Sequence, residues 1–106
     1  MFTITQLAEQ LGQQLLKQNA FVSTAESCTG GGIAEAITRV AGSSAWFEVG
    51  FVTYSNRQKM RVLQVAEADL QRDGAVSQSV VEGMARGAQQ LSGAQYTVAV
   101  SGVAGP

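Results

Sequence analysis

Apolar residues Ile4, Leu7, Ala8, Leu11 and Leu15 recur at the three- and four-residue spacing that lines one side of a helix. Thr3 followed by Gln6 fits a capping box that opens it. Lys17 falls in the last turn, and Asn19 suits a left-handed stop. Phe21 to Ala25 then predicts a short strand. Gly30 or Gly31 opens a second helix, with Ile33, Ala34, Ile37, Val40 and Ala41 on its apolar side. Gly42-Ser43-Ser44 breaks that helix, and Val49 to Tyr54 is rich in strand-forming residues. Arg57 to Val65 reads as helical and Ala66 to Gly74 as looser chain. Ser79 with Glu82 predicts a second capping box, opening a helix through Met84, Ala85, Ala88 and Leu91 that ends at Gly93. Tyr96 to Ser101 is a run of small apolar residues, which suits a strand buried on both faces.

Strands alternating with helices predict an α/β fold: three αβα layers around a mainly parallel sheet. The pattern stops at Gly105-Pro106, just after a strand that expects a covering helix, so the expectation is a layered fold incomplete at its C-terminal end. Only 14% of the 106 residues are charged and 45% are hydrophobic, as a largely buried sheet requires. A net charge of -1 provides no basic field for nucleic acid or an anionic membrane. The opening residues are short and mixed rather than an apolar leader, and no apolar run approaches the ~18 residues of a membrane span. A soluble, cytoplasmic protein is the expectation.

The residue counts narrow the chemistry. One cysteine, Cys28, excludes an internal disulfide and a multi-thiolate metal site. The absence of histidine excludes Ser-His-Asp and Cys-His catalysis within one chain, together with histidine metal sites. A base must then be a carboxylate, a lysine, a tyrosine or water. The stretch AESCTGGG, Ala25 to Gly32, is neither a Walker loop, since no lysine follows the glycines, nor a dinucleotide fingerprint, since position 35 is Glu35. It remains a strand, a glycine turn and a helix start, which suits either an anion cradle or a plain turn. Cys28 beside Glu26 reads as a small packing residue rather than an activated thiolate.

A serine nucleophile without histidine takes a lysine as its base. Of the two lysines, Lys17 lies on the amphipathic first helix. Lys59 follows the second strand by one turn, near the carboxyl end where parallel sheets bind ligands. Partial burial there would lower its pKa towards that of a base, and a plain surface lysine is the competing reading. Ser27, Thr29, Ser43 and Ser44 all lie in glycine-bearing loops around the second helix. Trp46 and Phe47 suit either stacking on a heterocycle or core packing. Tyr54 and Ser101-Gly102 end the second and third strands, so each of the three strands finishes in a polar loop at one edge.

The segments AESCTGG (25–31), AGSSAWF (41–47), GFVTYSNRQK (50–59), GAVS (74–77) and SGVAGP (101–106), in this order, resemble the nicotinamide-nucleotide amidohydrolase family, the CinA C-terminal or PncC type. The resemblance implies one CinA C-terminal-like domain over residues 1–106, the N-terminal two-thirds of the usual family domain. Family domains continue past SGVAGP through an Asp-Gly-Gly-like loop, further strands, a closing helix and a phosphate-contacting arginine. The activity implied is hydrolysis of the carboxamide of nicotinamide mononucleotide to nicotinate mononucleotide and ammonia, without metal or cofactor. Serine–lysine chemistry would map onto Ser44 as nucleophile and Lys59 as base, with Ser27 as the competing nucleophile. Tyr54, Ser101 and Gly102 would line the pocket, and the amides of Thr29, Gly30 and Gly31 would hold a phosphate or an oxyanion. A small nucleotide and further copies of the chain are the expected partners. A non-catalytic nucleotide-binding module and an oligomerisation fragment are the rival functions; turnover separates the first from the enzyme, and ligand-free assembly marks the second.

Overall fold

A computed structural model describes residues 1–103. Helix α1 (Ile4–Gln18) leads into β1 (Val22–Glu26) and α2 (Gly32–Thr38); a 3-10 turn at Ser43–Ala45 precedes β2 (Phe47–Val52). Helices α3 (Asn56–Leu63), α4 (Glu67–Asp73) and α5 (Gln78–Ser92) then lead to β3 (Tyr96–Val100). Among the described residues the sheet is wholly parallel, in the order β2-β1-β3. The chain moves from β1 to β2 in one direction, then crosses back past β1 to β3. Right-handed crossovers in opposite directions place their helices on opposite faces. That accounts for three αβα layers, with α1 and α2 on one side and α3 and α5 on the other.

Two cores follow from this layering. Leu15, Ala20, Val22, Ile37 and Trp46 fill the α1/α2 side, and Ala25, Leu63, Val65, Val80, Met84 and Ala88 fill the α3/α5 side. Because strand side chains alternate, Val22, Thr24 and Glu26 face the first layer and Ser23, Ala25 and Ser27 the second. Every residue of β1 is buried. The register slips between the pairs Val22↔Phe47 and Thr24↔Gly50, so β2 carries one extra residue there.

The α1 boundaries follow the sequence signals: Thr3 and Gln6 form the capping box, and Asn19 closes the helix with φ 53°. Several other boundaries differ. β2 starts at Phe47 and stops at Val52, so Tyr54 lies outside the strand. α2 ends at Thr38, short of Val40 and Ala41. The supposedly loose stretch is helix α4, with Glu67 and Asp69 in its first turn and Arg72 in its last, charges that complement the helix dipole. α5 is capped by Ser77, whose hydroxyl accepts from the Val80 amide at 3.4 Å; Ser79 instead donates to the Asp73 carboxylate at 2.6 Å. The strand buried on both faces is β1. β3 is an edge strand, and its Val98 is 40% exposed.

Helix α5 packs against α3 through a bare backbone. A Cβ added at Gly87 would lie 2.0 Å from the Leu63 carbonyl oxygen, whereas one at Gly83 would meet side-chain atoms at ordinary contact distance, Val65 at 3.6 Å and Arg86 at 3.9 Å. Gly87→Ala is therefore expected to cost ~2 kcal/mol or more through forced separation of the helices. Gly83→Ala, one turn earlier in the same helix, should be neutral or stabilise by up to ~1 kcal/mol. Chemical denaturation of the two variants checks both; equal destabilisation would refute the close contact.

Candidate active site

Helix α3 begins one residue after Ser55, whose hydroxyl accepts from the Gln58 amide at 3.2 Å. Helical side chains lean towards the N-terminus of their helix. The Lys59 chain therefore runs back under the β2–α3 turn instead of out to water, and only 2% of it is exposed. Its Nζ donates to Ser27 Oγ at 3.0 Å and to the Tyr54 carbonyl oxygen at 3.3 Å. The Ser27 hydroxyl in turn lies 3.5 Å from the same carbonyl. Among the described residues no carboxylate pairs with Lys59. Burial pushes its ammonium below the usual lysine value, with partial opposition from Cys28 nearby. In the unfolded chain this lysine holds its proton up to the usual 10.5. The unfolded state thus binds more protons between the folded value and 10.5, and stability rises with pH across that window.

The glycine turn does something different from what its pattern suggests. Glu26, fully buried, accepts from the Thr29 hydroxyl at 2.6 Å and from the Ile33 and Ala34 amides at 2.8 and 2.9 Å. Gly30 and Gly31, at φ 60° and 103°, swing the chain so that the first amides of α2 face that carboxylate. The N-terminus of α2 thus already holds an anion that belongs to the protein. An anion held at the expected cradle of Thr29, Gly30 and Gly31 would therefore stand beside the Glu26 carboxylate. Burial by itself raises the Glu26 pKa, but the hydrogen bonds from Thr29, Ile33, Ala34 and Gly31 together carry it below the usual value.

The remaining predicted residues divide by their place on the sheet. Ser44 is exposed in the 3-10 turn ahead of β2, while Lys59 lies beyond the other end of that strand. Six strand residues separate the two edges by roughly 20 Å. The expected Ser44–Lys59 pairing is therefore not made within the chain; the serine that Lys59 reaches is Ser27. Tyr54 turns its ring outward, 65% exposed, and contributes its carbonyl oxygen rather than its hydroxyl. Ser101 and Gly102 follow β3 at the same edge as Ser27, whose amide donates to the Val100 carbonyl at 3.2 Å. A Cβ on Gly102 would lie 3.2 Å from Cys28 Sγ, so these two pack together. Trp46 is core and Phe47 packs against it. Residues 104–106, the end of SGVAGP, lie outside the described residues.

A sequence model of the CinA C-terminal domain matches residues 4–106. The chain belongs to the CinA C-terminal domain family. It is 68% identical over its whole length to a nicotinamide-nucleotide amidohydrolase PncC from Pseudomonas putida, and 55% identical over 103 residues to the PncC of Escherichia coli K12. It spans 66% and 62% of those proteins, less than two thirds of each. Among solved structures, a competence/damage inducible protein from Agrobacterium tumefaciens matches with TM-score 0.94 at 46% identity, covering all of this chain and 66% of that one. A CinA superfamily protein from Escherichia coli matches with TM-score 0.96 at 38% identity, covering 98% of this chain and 60% of that one.

Within this family member a cavity of about 500 Å³ lies apart from the Ser27–Lys59 contact. It is apolar, lined by Ile4, Leu7, Leu11, Ile33 and Val98 among others, and lies between α1, α2 and the β3 edge. The one hydroxyl in its lining, that of Thr29, donates to Glu26. The reversal of crossover direction beside β1 points elsewhere, to the carboxyl ends of β1 and β3, where Ser27 and Ser101 stand. No cluster of three or more His, Cys, Asp or Glu side chains occurs among the described residues.

Sequence reasoning did not assign Glu26 a role because its partners are seven and eight residues away, beyond any short capping spacing. The Glu26 carboxylate is expected to stabilise the fold fully above the unfolded carboxyl pKa and to lose that contribution as pH falls through its lower folded value. Glu26→Gln should cost about 2 kcal/mol at neutral pH, since an amide NH2 would meet helix N–H groups. That deficit should shrink in acid once the wild-type carboxyl is protonated, which denaturation at neutral pH and below pH 4 measures. A deficit independent of pH would count against the charged cap.

Proposed function

We propose that the chain carries the reactive pair of a nicotinamide-nucleotide amidohydrolase, with Ser27 as nucleophile and Lys59 as base. The observation that carries this reading is the buried Lys59 Nζ, 3.0 Å from Ser27 Oγ and without a carboxylate partner among the described residues. An amine in such surroundings is easily neutral and then takes up a proton from a hydroxyl. The names of the PncC relatives supply the substrate class.

In this mechanism neutral Lys59 takes the Ser27 proton as Oγ attacks the carboxamide carbon of nicotinamide mononucleotide. The carbonyl π pair moves onto oxygen. When the tetrahedral adduct collapses, the C–N bond breaks and Lys59 returns the proton to the departing nitrogen, which leaves as ammonia. Water then attacks the resulting ester, giving its proton to Lys59. Lys59 passes that proton to Ser27 Oγ as the ester bond breaks, and the acid so formed gives its own proton to solvent to become the carboxylate of nicotinate mononucleotide. We place this reaction in cytoplasmic pyridine-nucleotide salvage, in an assembly of several copies of the chain.

Ser27→Ala and Lys59→Arg are each expected to lower kcat for ammonia release by at least ~10³-fold, because one removes the nucleophile and the other installs a cation that stays protonated. The wild-type kcat/KM should rise with pH, with an apparent pKa below lysine's usual 10.5. Retained activity in Ser27→Ala together with loss in Ser44→Ala would transfer the nucleophile to Ser44 and refute the assignment.

A further inference from the structure

Register and alternation place a third hydroxyl beside the reactive pair. Glu26 pairs with Val52 on one side and Val100 on the other, so one step further Ser27 stands between Thr53 and Ser101. Ala25, Phe51 and Ala99, each two residues earlier, all pack into the α3/α5 core. The same period of two carries Ser27, Thr53 and Ser101 to that face, where Lys59 lies. Thr53 continues the ladder, its amide donating to the Glu26 carbonyl at 2.9 Å.

Thr53 is 2% exposed, and its Oγ1 has no hydrogen-bond partner among the described residues; the Ser101 hydroxyl is likewise buried and unpartnered. Leaving a buried hydroxyl unpaired costs about 1–3 kcal/mol, which a valine of the same shape would avoid. A polar group held at such cost one strand away from a nucleophile suits a ligand atom that arrives later. A carboxamide bound for attack by Ser27 brings an acceptor of this kind, its carbonyl oxygen, which gains negative charge as Oγ bonds to carbon.

We propose that Thr53 is a further catalytic residue, whose hydroxyl donates to the substrate's carbonyl oxygen and holds the oxyanion formed on attack by Ser27. This rests on the amidohydrolase reading above. It supplies an oxyanion contact away from the Glu26 carboxylate, which holds the Ile33 and Ala34 amides of α2. Thr24 supplies an internal control. Its Oγ1 is also buried and unpartnered, but it sits on the α1/α2 face, against Gly50.

The test compares wild type, Thr53→Val, Thr53→Ser and Thr24→Val for ammonia release from nicotinamide mononucleotide, for thermal midpoint, and for the shift in midpoint that the nucleotide produces. Thr53→Val should lose ~10²–10³-fold in kcat with KM changed only a few-fold. Its ligand-free midpoint should be equal to wild type or higher. Thr53→Ser should recover most of the rate, and Thr24→Val should turn over like wild type. Wild-type turnover that persists in Thr53→Val, or falls equally in Thr24→Val, overturns the assignment and leaves the Ser27–Lys59 reading standing. If the chain binds nucleotide without turnover, a reduced thermal shift in Thr53→Val supports the contact and an unchanged shift overturns it. A wild-type chain that neither releases ammonia nor is stabilised by the nucleotide overturns the parent reading and this one together.

Discussion

The central strand is buried on both faces yet reads Val22-Ser23-Thr24-Ala25-Glu26, with Ser27 directly after it, so most of its side chains are polar where no water reaches. A parallel strand between two helical layers ordinarily carries aliphatic residues. Each polar group here must find a partner or remain costly. Ser23 shares hydrogen bonds with Thr97 and Ser92, both at 3.1 Å, and ties β1 to β3 and to the end of α5. Glu26 caps α2, and Ser27 accepts from Lys59. The helices on both sides are thus oriented by a polar strand as well as by the two cores.

Alternation along that strand separates structure from chemistry. Glu26, facing α2, neutralises the helix N-terminus with a carboxylate that also draws in the Thr29 hydroxyl. Ser27, facing α3, meets the only buried lysine among the described residues. Neighbouring residues in one short motif therefore do opposite things, one consuming an anion site and the other presenting a hydroxyl to a buried lysine. The three glycines serve the first purpose, since two of them adopt positive φ to bring the α2 amides round to Glu26.

Among the described residues Lys59 has no carboxylate partner, and this gives it its character. A carboxylate within reach would hold its proton and disable it as a base. Instead its contacts are an alcohol and a carbonyl oxygen, which leave the amine exchangeable while fixing its position. The carbonyl belongs to Tyr54, a residue whose side chain points away; the turn after β2 contributes through its backbone. The apolar cavity by α1 and the polar edge at β1 and β3 differ in the same way: Ser27, Lys59 and the Tyr54 carbonyl converge at the edge.

Much of this was legible in the residues. Apolar spacing and caps located α1, the zero histidine count removed histidine as a base, and the ordered segments placed the chain in its family. Those inferences depend on short-range periodicity and on residue inventory, which need no fold. Other features required the three-dimensional arrangement. The choice of Ser27 over Ser44 beside Lys59 depends on which end of β2 each residue occupies. The use of Glu26 as a cap depends on a turn that brings amides seven and eight residues distant onto one carboxylate. The row formed by Thr53, Ser27 and Ser101 depends on register across three strands separated by tens of residues. Strand register and helix layering are set by packing between distant segments, so no local pattern encodes them.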